Sequence, residues 1–183
     1  MKIILIGLRG AGKSTVGEIL AARLGLSFLD TDVLVERVCG KTVAEIFREQ
    51  GEFAFREFET TALRGIGKRR EDSVVATGGG IVLRPENQVL LPKMGKVVYL
   101  FAKPELVRER FARDPAAQKR PSLEGKPLEE EIEFLFLTRD PIYRDIADLV
   151  LPVKGKTPEE ICGSLEAKLP RIKKRLPKDR LGE

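Results

Sequence analysis

Short apolar runs alternate along the chain with longer stretches in which apolar residues recur every three to four positions. The first run, Lys2–Ile6, reads as a buried strand, and Ser14–Leu24 then repeats apolar residues at helical spacing. The pattern predicts further strands at Ser27–Asp30, Ser73–Thr77, Val97–Phe101 and Leu149–Val153. Alternation of strands and helices predicts an α/β fold, with a parallel sheet between two helical layers in a three-layer αβα arrangement.

Capping and punctuating residues mark the predicted helices. Thr42 with Glu45, and Thr157 with Glu160, form the capping-box pattern that opens a helix. Gly51 separates a helix that runs toward residue 50 from a longer one that runs from residue 52 toward residue 66. The remaining predicted helices are Val33–Val38, a short helix with Pro85 in its first turn, Pro104–Arg113, and Leu128–Leu137 continuing toward Tyr143.

The segment Gly7–Ser14 reads GLRGAGKS and matches the phosphate-loop pattern GxxxxGK[ST] in full. It follows a predicted strand and opens a predicted helix, which is the context that the pattern requires. Its glycines allow the backbone to wrap around phosphates, and the helix N-terminus adds a positive dipole. Lys13 can reach the β- and γ-phosphates, and the Ser14 hydroxyl can bind magnesium. The loop alone predicts a nucleoside triphosphate and does not separate a kinase from a GTPase or a motor ATPase.

Two carboxylates, Asp30 and Asp32, stand at the end of the second predicted strand. On an extended chain residues i and i+2 point to one face, so both could face the crevice beside the phosphate loop. There one could serve the metal while the other accepts a proton from a substrate hydroxyl. The alternative is a turn and helix cap before Val33, since aspartate favours both.

Composition and charge limit the other classes of function. The chain has 183 residues, no histidine and two cysteines, Cys39 and Cys162, so a zinc site and a disulfide framework are both disfavoured. The apolar run of the first strand stops at Gly7, which is too short for a signal core or a membrane span, and we expect a cytoplasmic protein. The net charge of +5 comes from the C-terminal residues 168–183, because the rest of the chain is neutral.

Several motifs occur together in one order, and in that order the sequence resembles the shikimate kinase family from Lys2 to about Leu169. The resemblance is carried by GLRGAGKST at 7–15, FLDTD at 28–32, GEFAFREFE at 51–59, ATGGG at 76–80, KRP at 119–121 and RDPIYR at 139–144. It implies transfer of the ATP γ-phosphoryl group to the 3-hydroxyl of shikimate. It also implies a five-stranded parallel sheet with a mobile lid at about 114–127, in one kinase domain at 1–169 followed by a basic tail at 170–183.

The resemblance assigns roles to individual residues. Catalysis would fall to Asp32, Lys13 and Arg120, the last being the lid arginine. The nucleotide would be held by Gly10, Ala11, Gly12, Lys13, Ser14, Thr15, Arg120 and Lys156. Shikimate would be held by Asp32, Arg56, Gly78, Gly79, Gly80 and Arg139, and Mg²⁺ by Ser14 and Asp30.

The chemistry of these residues fits the same substrate, since two arginines and an aspartate match a polyol with one carboxylate. The alternative for Arg56 is a surface salt bridge with Glu57 or Glu59. The third predicted strand is followed by Gly78–Gly80 and not by a metal-binding aspartate. The shikimate kinase family also lacks an aspartate at this place. Ser122 stands after Arg120 and Pro121 where the family often has leucine.

Three other readings remain open at this point. A gluconate or nucleoside monophosphate kinase would keep Gly7–Ser14 but has no need of Arg56, the glycine triplet and Arg139 together. A nucleic-acid-binding protein would use the basic tail, but the neutral body and the aromatic fraction of 6% disfavour it. A kinase-like protein without turnover is the third. We therefore expect ATP and a small molecule as partners, no nucleic acid or membrane, and a monomer.

Overall fold

The computed structural model describes residues 1–113 and 127–171, and within them a five-stranded parallel sheet carries the fold. The strands are β1 (Lys2–Ile6), β2 (Ser27–Asp30), β3 (Ser73–Ala76), β4 (Gly95–Phe101) and β5 (Leu149–Pro152). They lie in the order β2-β3-β1-β4-β5, and every pairing is parallel. The predicted sheet is confirmed, and its central strand β1 leads directly into the phosphate loop.

Seven α-helices flank this sheet in the described part of the chain. They are α1 (Lys13–Leu24), α2 (Thr31–Cys39), α3 (Val43–Lys68), α4 (Pro85–Met94), α5 (Pro104–Arg113), α6 (Leu128–Ile146) and α7 (Pro158–Lys168). Two 3-10 turns cover Ile81–Leu83 and Leu169–Arg171. None of the helices in these ranges is both long and apolar enough to cross a membrane.

The local signals in the sequence account for the helix boundaries. Both capping boxes form with reciprocal hydrogen bonds, Thr42 with Glu45 and Thr157 with Glu160. Gly51 adopts φ 80° and ψ 172° inside α3, so the helix is broken there as predicted. A positive φ of this size is accessible to glycine without steric cost, which explains the residue at the break.

The core is built around the three inner strands. Every residue of β1 and β3 is buried, and Val97–Leu100 of β4 are fully enclosed. Such buried and mostly apolar strands are expected when helices cover both faces of a parallel sheet. A second, smaller cluster joins Val35 of α2 to Ile46 and Phe55 of α3. These two helices therefore form a satellite unit beside β2, at the edge of the sheet where the candidate site lies.

The predicted geometry of the two aspartates was wrong in one respect. Asp30 ends β2 in an extended conformation, but Asp32 already lies in the first turn of α2 and not on an extended strand. The Asp30 side chain caps this helix, because its Oδ1 accepts a hydrogen bond from the Asp32 N–H at 2.9 Å. Capping by aspartate satisfies a backbone donor that the first turn leaves unpaired, so the helix begins earlier than predicted.

Candidate active site

The phosphate loop curls around the ammonium group of Lys13. Lys13 Nζ donates hydrogen bonds to the carbonyl oxygens of Gly7 and Leu8, at 2.9 and 2.8 Å. Gly10 and Gly12 have φ of 83° and 91°, in the left-handed region that favours glycine. These conformations turn the loop sharply before α1 begins, so the backbone N–H groups of the helix N-terminus face the concave side, where an anion would bind.

Helix α5 supports this loop from one side. Arg110 Nη1 donates to the carbonyl oxygen of Gly10 at 2.9 Å, and the guanidinium of Arg9 lies 4.8 Å from the centre of the Phe111 ring. A Cβ at Gly10 would stand 2.8 Å from the Phe111 ring, so the close approach of α5 also requires glycine in the loop. No local pattern predicts these contacts, because about a hundred residues separate the partners.

Ser14 and Asp30 form the predicted hydroxyl and carboxylate pair. Ser14 Oγ, in the first turn of α1, donates to Oδ2 of Asp30, the last residue of β2, at 2.7 Å. The described residues contain no cluster of three or more acidic, histidine or cysteine side chains that could enclose a metal. Mg²⁺ bound with a nucleotide usually keeps several waters and takes only one or two protein oxygens besides the phosphates. The two oxygens of Ser14 and Asp30 therefore fit magnesium.

Asp32 lies beside the glycine triplet that follows β3. A Cβ at Gly78 would stand 2.6 Å from Asp32 Oδ1, and this oxygen has no hydrogen-bond partner in the structure. Burial, together with the nearby Asp30 carboxylate, raises the pKa of Asp32 to about 6. The neighbouring Thr31 fixes the distance between the two segments, since its Oγ1 accepts a hydrogen bond from the Gly78 N–H at 2.9 Å.

Arg56 is held from two sides on α3. Its Nη1 donates to Glu59 Oε2 at 2.5 Å, and its Nη2 donates to Glu52 Oε1 at 2.7 Å. Arg56 is 7% exposed and Glu59 is wholly buried, so this is not the surface salt bridge that the sequence left open. Glu57, the other partner considered, instead pairs with Arg84.

The glycine triplet leaves room for the charged side chains around it. A Cβ at Gly80 would overlap the guanidinium of Arg56, and one at Gly79 would lie 3.7 Å from Arg139 Nη1. Arg139, on α6, is 4% exposed and its Nε has no hydrogen-bond partner in the structure. The structure therefore brings the two buried guanidinium groups together with the Asp32 carboxylate at the triplet, beside the phosphate loop.

Two of the predicted nucleotide-binding residues, Lys156 and Arg120, stay predictions. Lys156 is half-buried in the turn after β5, where its N–H donates to the Val153 carbonyl at 3.4 Å. Arg120, with the predicted lid except Pro127, lies outside the described residues. The predicted basic tail also lies outside them from residue 172 onward.

The sequence reasoning missed Glu59 as a site residue. Its side chain lies against the triplet, where a Cβ at Gly78 would overlap Oε1, and that oxygen has no hydrogen-bond partner. Burial raises the pKa of Glu59 to about 7, although the Arg56 guanidinium acts in the opposite direction. Helical spacing was the available signal, because positions 52, 56 and 59 fall on one face of a helix.

Comparisons with known proteins agree with this geometry. The family model "Shikimate kinase" matches residues 9–170. A shikimate kinase of Nitratidesulfovibrio vulgaris is 46% identical over 157 residues, which cover 86% of this chain and 88% of the relative. The structure of shikimate kinase from Acinetobacter baumannii in complex with shikimate superposes with a TM-score of 0.86 at 36% identity, and the match covers 95% of both chains.

A gluconokinase from Sinorhizobium meliloti is more distant, with a TM-score of 0.60 and 20% identity over 93% of this chain and 91% of that one. This similarity shows the shared fold alone. The family model covers most of the sequence, and the residues that it spans include Lys13, Asp32, Arg56 and Arg139. The chain belongs to the shikimate kinase family.

Proposed function

We propose that the protein transfers the γ-phosphoryl group of ATP to the 3-hydroxyl of shikimate, which gives shikimate 3-phosphate and ADP. The observation that carries the proposal is the convergence of Arg56, Arg139 and Asp32 on the glycine triplet beside the phosphate loop. A ligand that bears one carboxylate and several hydroxyls complements this set of charges. Family membership gives the enzyme class, an ATP-dependent kinase, independently of the site.

The nucleotide would bind along the phosphate loop and the N-terminus of α1. Lys13 now donates to two loop carbonyls, and its Nζ would instead donate to the β- and γ-phosphates. Gly10 to Thr15 would supply backbone N–H groups, and the positive end of the α1 dipole would add to them. These groups stabilise the charge that spreads over the phosphoryl oxygens during transfer. Lys156 is proposed to contact the nucleotide, without a role in the chemistry.

Magnesium would be held by the Ser14 hydroxyl, with Asp30 in its shell through water. When bound, the ion neutralises charge on the β- and γ-phosphates. Ser14→Ala removes one oxygen ligand and should raise the Mg²⁺ concentration that half-maximal activity requires. Ser27→Ala is a matched control, because Ser27 Oγ donates only to the Asp72 carbonyl at 3.3 Å, away from the loop. An equal magnesium requirement in both variants would contradict the proposed role of Ser14.

The acceptor would be oriented by Asp32 and the triplet. The Asp32 carboxylate can accept a hydrogen bond from the attacking hydroxyl and take its proton as the new ester forms. Positioning dominates phosphoryl transfer, because the transition state is loose and needs little proton removal before attack. The free Oδ1 of Asp32 supports this role, since a buried acceptor without a partner is available to a ligand.

The substrate carboxylate would lie between Arg56 and Arg139. A guanidinium grips a carboxylate through two parallel hydrogen bonds, and burial strengthens each of them. Arg139 Nε lacks a hydrogen-bond partner at present, so at least one donor is ready for a ligand.

The position of phosphorylation tests the proposal directly. The protein would be incubated with Mg-ATP and shikimate, and the product would be analysed by two-dimensional ³¹P–¹H correlation NMR. A phosphorus coupled to the proton on C3 is expected. Phosphate on another hydroxyl would overturn the proposed orientation, and no phosphorylated shikimate would overturn the proposed substrate. Shikimate with its carboxylate reduced to an alcohol should be phosphorylated far less efficiently, because it offers no carboxylate to Arg56 and Arg139.

A further inference from the structure

The hydroxyl of Tyr143 lies between two parts of the proposed substrate site. Tyr143 is wholly buried on α6, and its Oη donates a hydrogen bond to the carbonyl oxygen of Gly79. Arg139 precedes it by four residues on the same helix, so the two side chains share one helix face. Tyr143 therefore contacts the glycine triplet and stands beside the arginine that would bind the substrate carboxylate.

The orientation of this hydroxyl is fixed by aromatic packing. The rings of Tyr143 and Tyr99 are 4.8 Å apart between centroids and inclined at 37°. The Tyr99 hydroxyl donates to Asp140 Oδ1 at 2.8 Å, so Tyr99 supports Tyr143 through its ring and not through its hydroxyl. Burial raises the pKa of Tyr143, so its hydroxyl keeps its proton and acts as a donor. A ring packed in this way cannot turn without disturbing the core.

The hydrogen bond joins segments that no strand pairing connects. Gly79 lies in the loop after β3, and sixty-four positions separate it from Tyr143. The Gly79 backbone also approaches the phosphate loop, since a Cβ there would lie 3.2 Å from Arg9 N and 3.4 Å from Gly7 O. A movement of Gly79 would thus alter the distance from the triplet to Arg139 and from the triplet to the phosphate loop.

We propose that Tyr143 is a positioning residue for the acceptor substrate, whose hydroxyl holds Gly79 at a fixed distance from Arg139. The inference rests on the proposed function, since it assumes that a carboxylated substrate lies between the triplet and Arg139. Tyr143 itself need not touch the substrate. Without the hydroxyl the Gly79 carbonyl would lose a buried partner, and the loop could shift relative to α6.

Tyr143→Phe tests this role, and Tyr99→Phe is its matched control. Both residues are wholly buried, both rings belong to the same stack, and each substitution removes one hydrogen-bonded hydroxyl. Tyr143→Phe should raise the KM for shikimate about 2- to 13-fold, the range for one net hydrogen bond. The KM for ATP should not change in either variant, and Tyr99→Phe should leave the KM for shikimate unchanged. Thermal unfolding of both variants would measure what each hydroxyl contributes to the fold.

A substrate analogue separates positioning from a general loss of structure. With shikimate whose carboxylate is reduced to an alcohol, Tyr143→Phe should have little further effect, because Arg139 then has no carboxylate to bind. An equal effect on both compounds, or an equal rise in the shikimate KM for both variants, would overturn the inference. If wild-type protein phosphorylates shikimate and Tyr143→Phe has the wild-type KM, the inference alone fails. If wild-type protein does not use shikimate, the proposed function fails as well.

A spectroscopic measurement covers the case in which Tyr143→Phe does not fold. The chain contains only two tyrosines, so 3-fluorotyrosine incorporated into Tyr99→Phe labels position 143 alone. Addition of shikimate without nucleotide should shift the single ¹⁹F resonance. The dependence of this shift on shikimate concentration should give the same affinity for shikimate as calorimetry. An unshifted resonance at saturating shikimate would overturn the inference.

Discussion

Arg56 and Glu59 form a buried ion pair one helical turn apart on α3, with 2.5 Å between Nη1 and Oε2. Glu59 has no exposed surface, and its second oxygen, Oε1, lacks a hydrogen-bond partner. A charge so deeply enclosed is costly unless it is paired, so the carboxylate keeps the guanidinium in one place. The arginine is therefore oriented before any substrate arrives, which lowers the entropic cost of binding.

The first prediction concerns the planar fork of Arg56. Arg56→Lys keeps a positive charge near Glu59 but loses the paired donors, so shikimate binding should weaken by about 1.5–3 kcal/mol, or roughly 10- to 150-fold. Isothermal titration with shikimate measures this directly. Arg64→Lys is the control on the same helix, because Arg64 is 60% exposed and pairs with Glu86 at the surface. Equal affinities in the two variants would show that Arg56 has a structural role alone.

A second prediction separates chemistry from recognition at Asp32. Asp32→Asn keeps the size of the side chain and one acceptor oxygen but loses the charge and most of the basicity. It should lower kcat by about 100-fold or more, the lower range for loss of a positioned base. ATP binding should be unchanged, because the phosphate loop is untouched. Turnover near that of the wild-type protein would mean that Asp32 serves only the first turn of α2.

A third prediction uses the space at Gly80. Gly80→Ala places a methyl group where the Arg56 guanidinium now lies, and displacing it should cost about 1–3 kcal/mol of stability or substrate affinity. Gly65→Ala is the matched control, since a Cβ at this position of α3 meets nothing within 4 Å. It should stabilise the protein by about 0.5–1 kcal/mol through helix propensity. Thermal unfolding and shikimate titration of both variants check the contrast, and a Gly80→Ala variant that loses neither stability nor affinity would contradict it.

A fourth prediction follows from the raised pKa of Glu59, which shifts from 4.5 to about 7. Below pH 4.5 the Glu59 carboxyl group is protonated in both folded and unfolded protein, so folding does not bury a charge there. As the pH rises from about 4.5 to about 7, the unfolded chain loses this proton first, and stability falls. The difference in the free energy of unfolding between wild type and Glu59→Gln should therefore decrease with rising pH across this range.

Glu57→Gln supplies a control of opposite sign for the pH measurement. The hydrogen bond from Arg84 lowers the pKa of Glu57, so the Glu57 carboxylate stabilises the fold at neutral pH and loses this effect as the pH falls. Denaturant unfolding between pH 4 and pH 8 would follow both differences. If the difference in unfolding free energy changed with pH in the same direction for Glu57→Gln and Glu59→Gln, the effect assigned to the burial of Glu59 would be contradicted.

The parts of the site that the sequence predicted are those with local physical causes. Gly7–Ser14 is one continuous segment, and both capping boxes are formed by residues three positions apart. Gly51 breaks a helix because of its own backbone freedom. These features need no knowledge of the distant chain, so their residue types and spacing were sufficient.

The parts that the sequence did not predict depend on contacts between distant segments. Thr31 binds the Gly78 N–H across forty-seven positions, and Tyr143 binds the Gly79 carbonyl across sixty-four. The burial of Glu59 depends on where α3 packs against the triplet, which no local pattern reveals. Asp30 was ambiguous for a different reason, since one side chain both caps α2 and accepts from Ser14. The sequence offered a helix cap and a place in the crevice beside the phosphate loop as alternatives, and Asp30 both caps α2 and contacts Ser14 of the phosphate loop.

The most direct test of the account is the release of ADP from Mg-ATP in the presence of different acceptors. Purified protein would be assayed with shikimate, with gluconate and with nucleoside monophosphates, each over the same concentration range. Shikimate alone should stimulate ADP release strongly, because it offers the carboxylate that Arg56 and Arg139 are placed to bind. Stimulation by gluconate or a nucleoside monophosphate, with none by shikimate, would contradict the account.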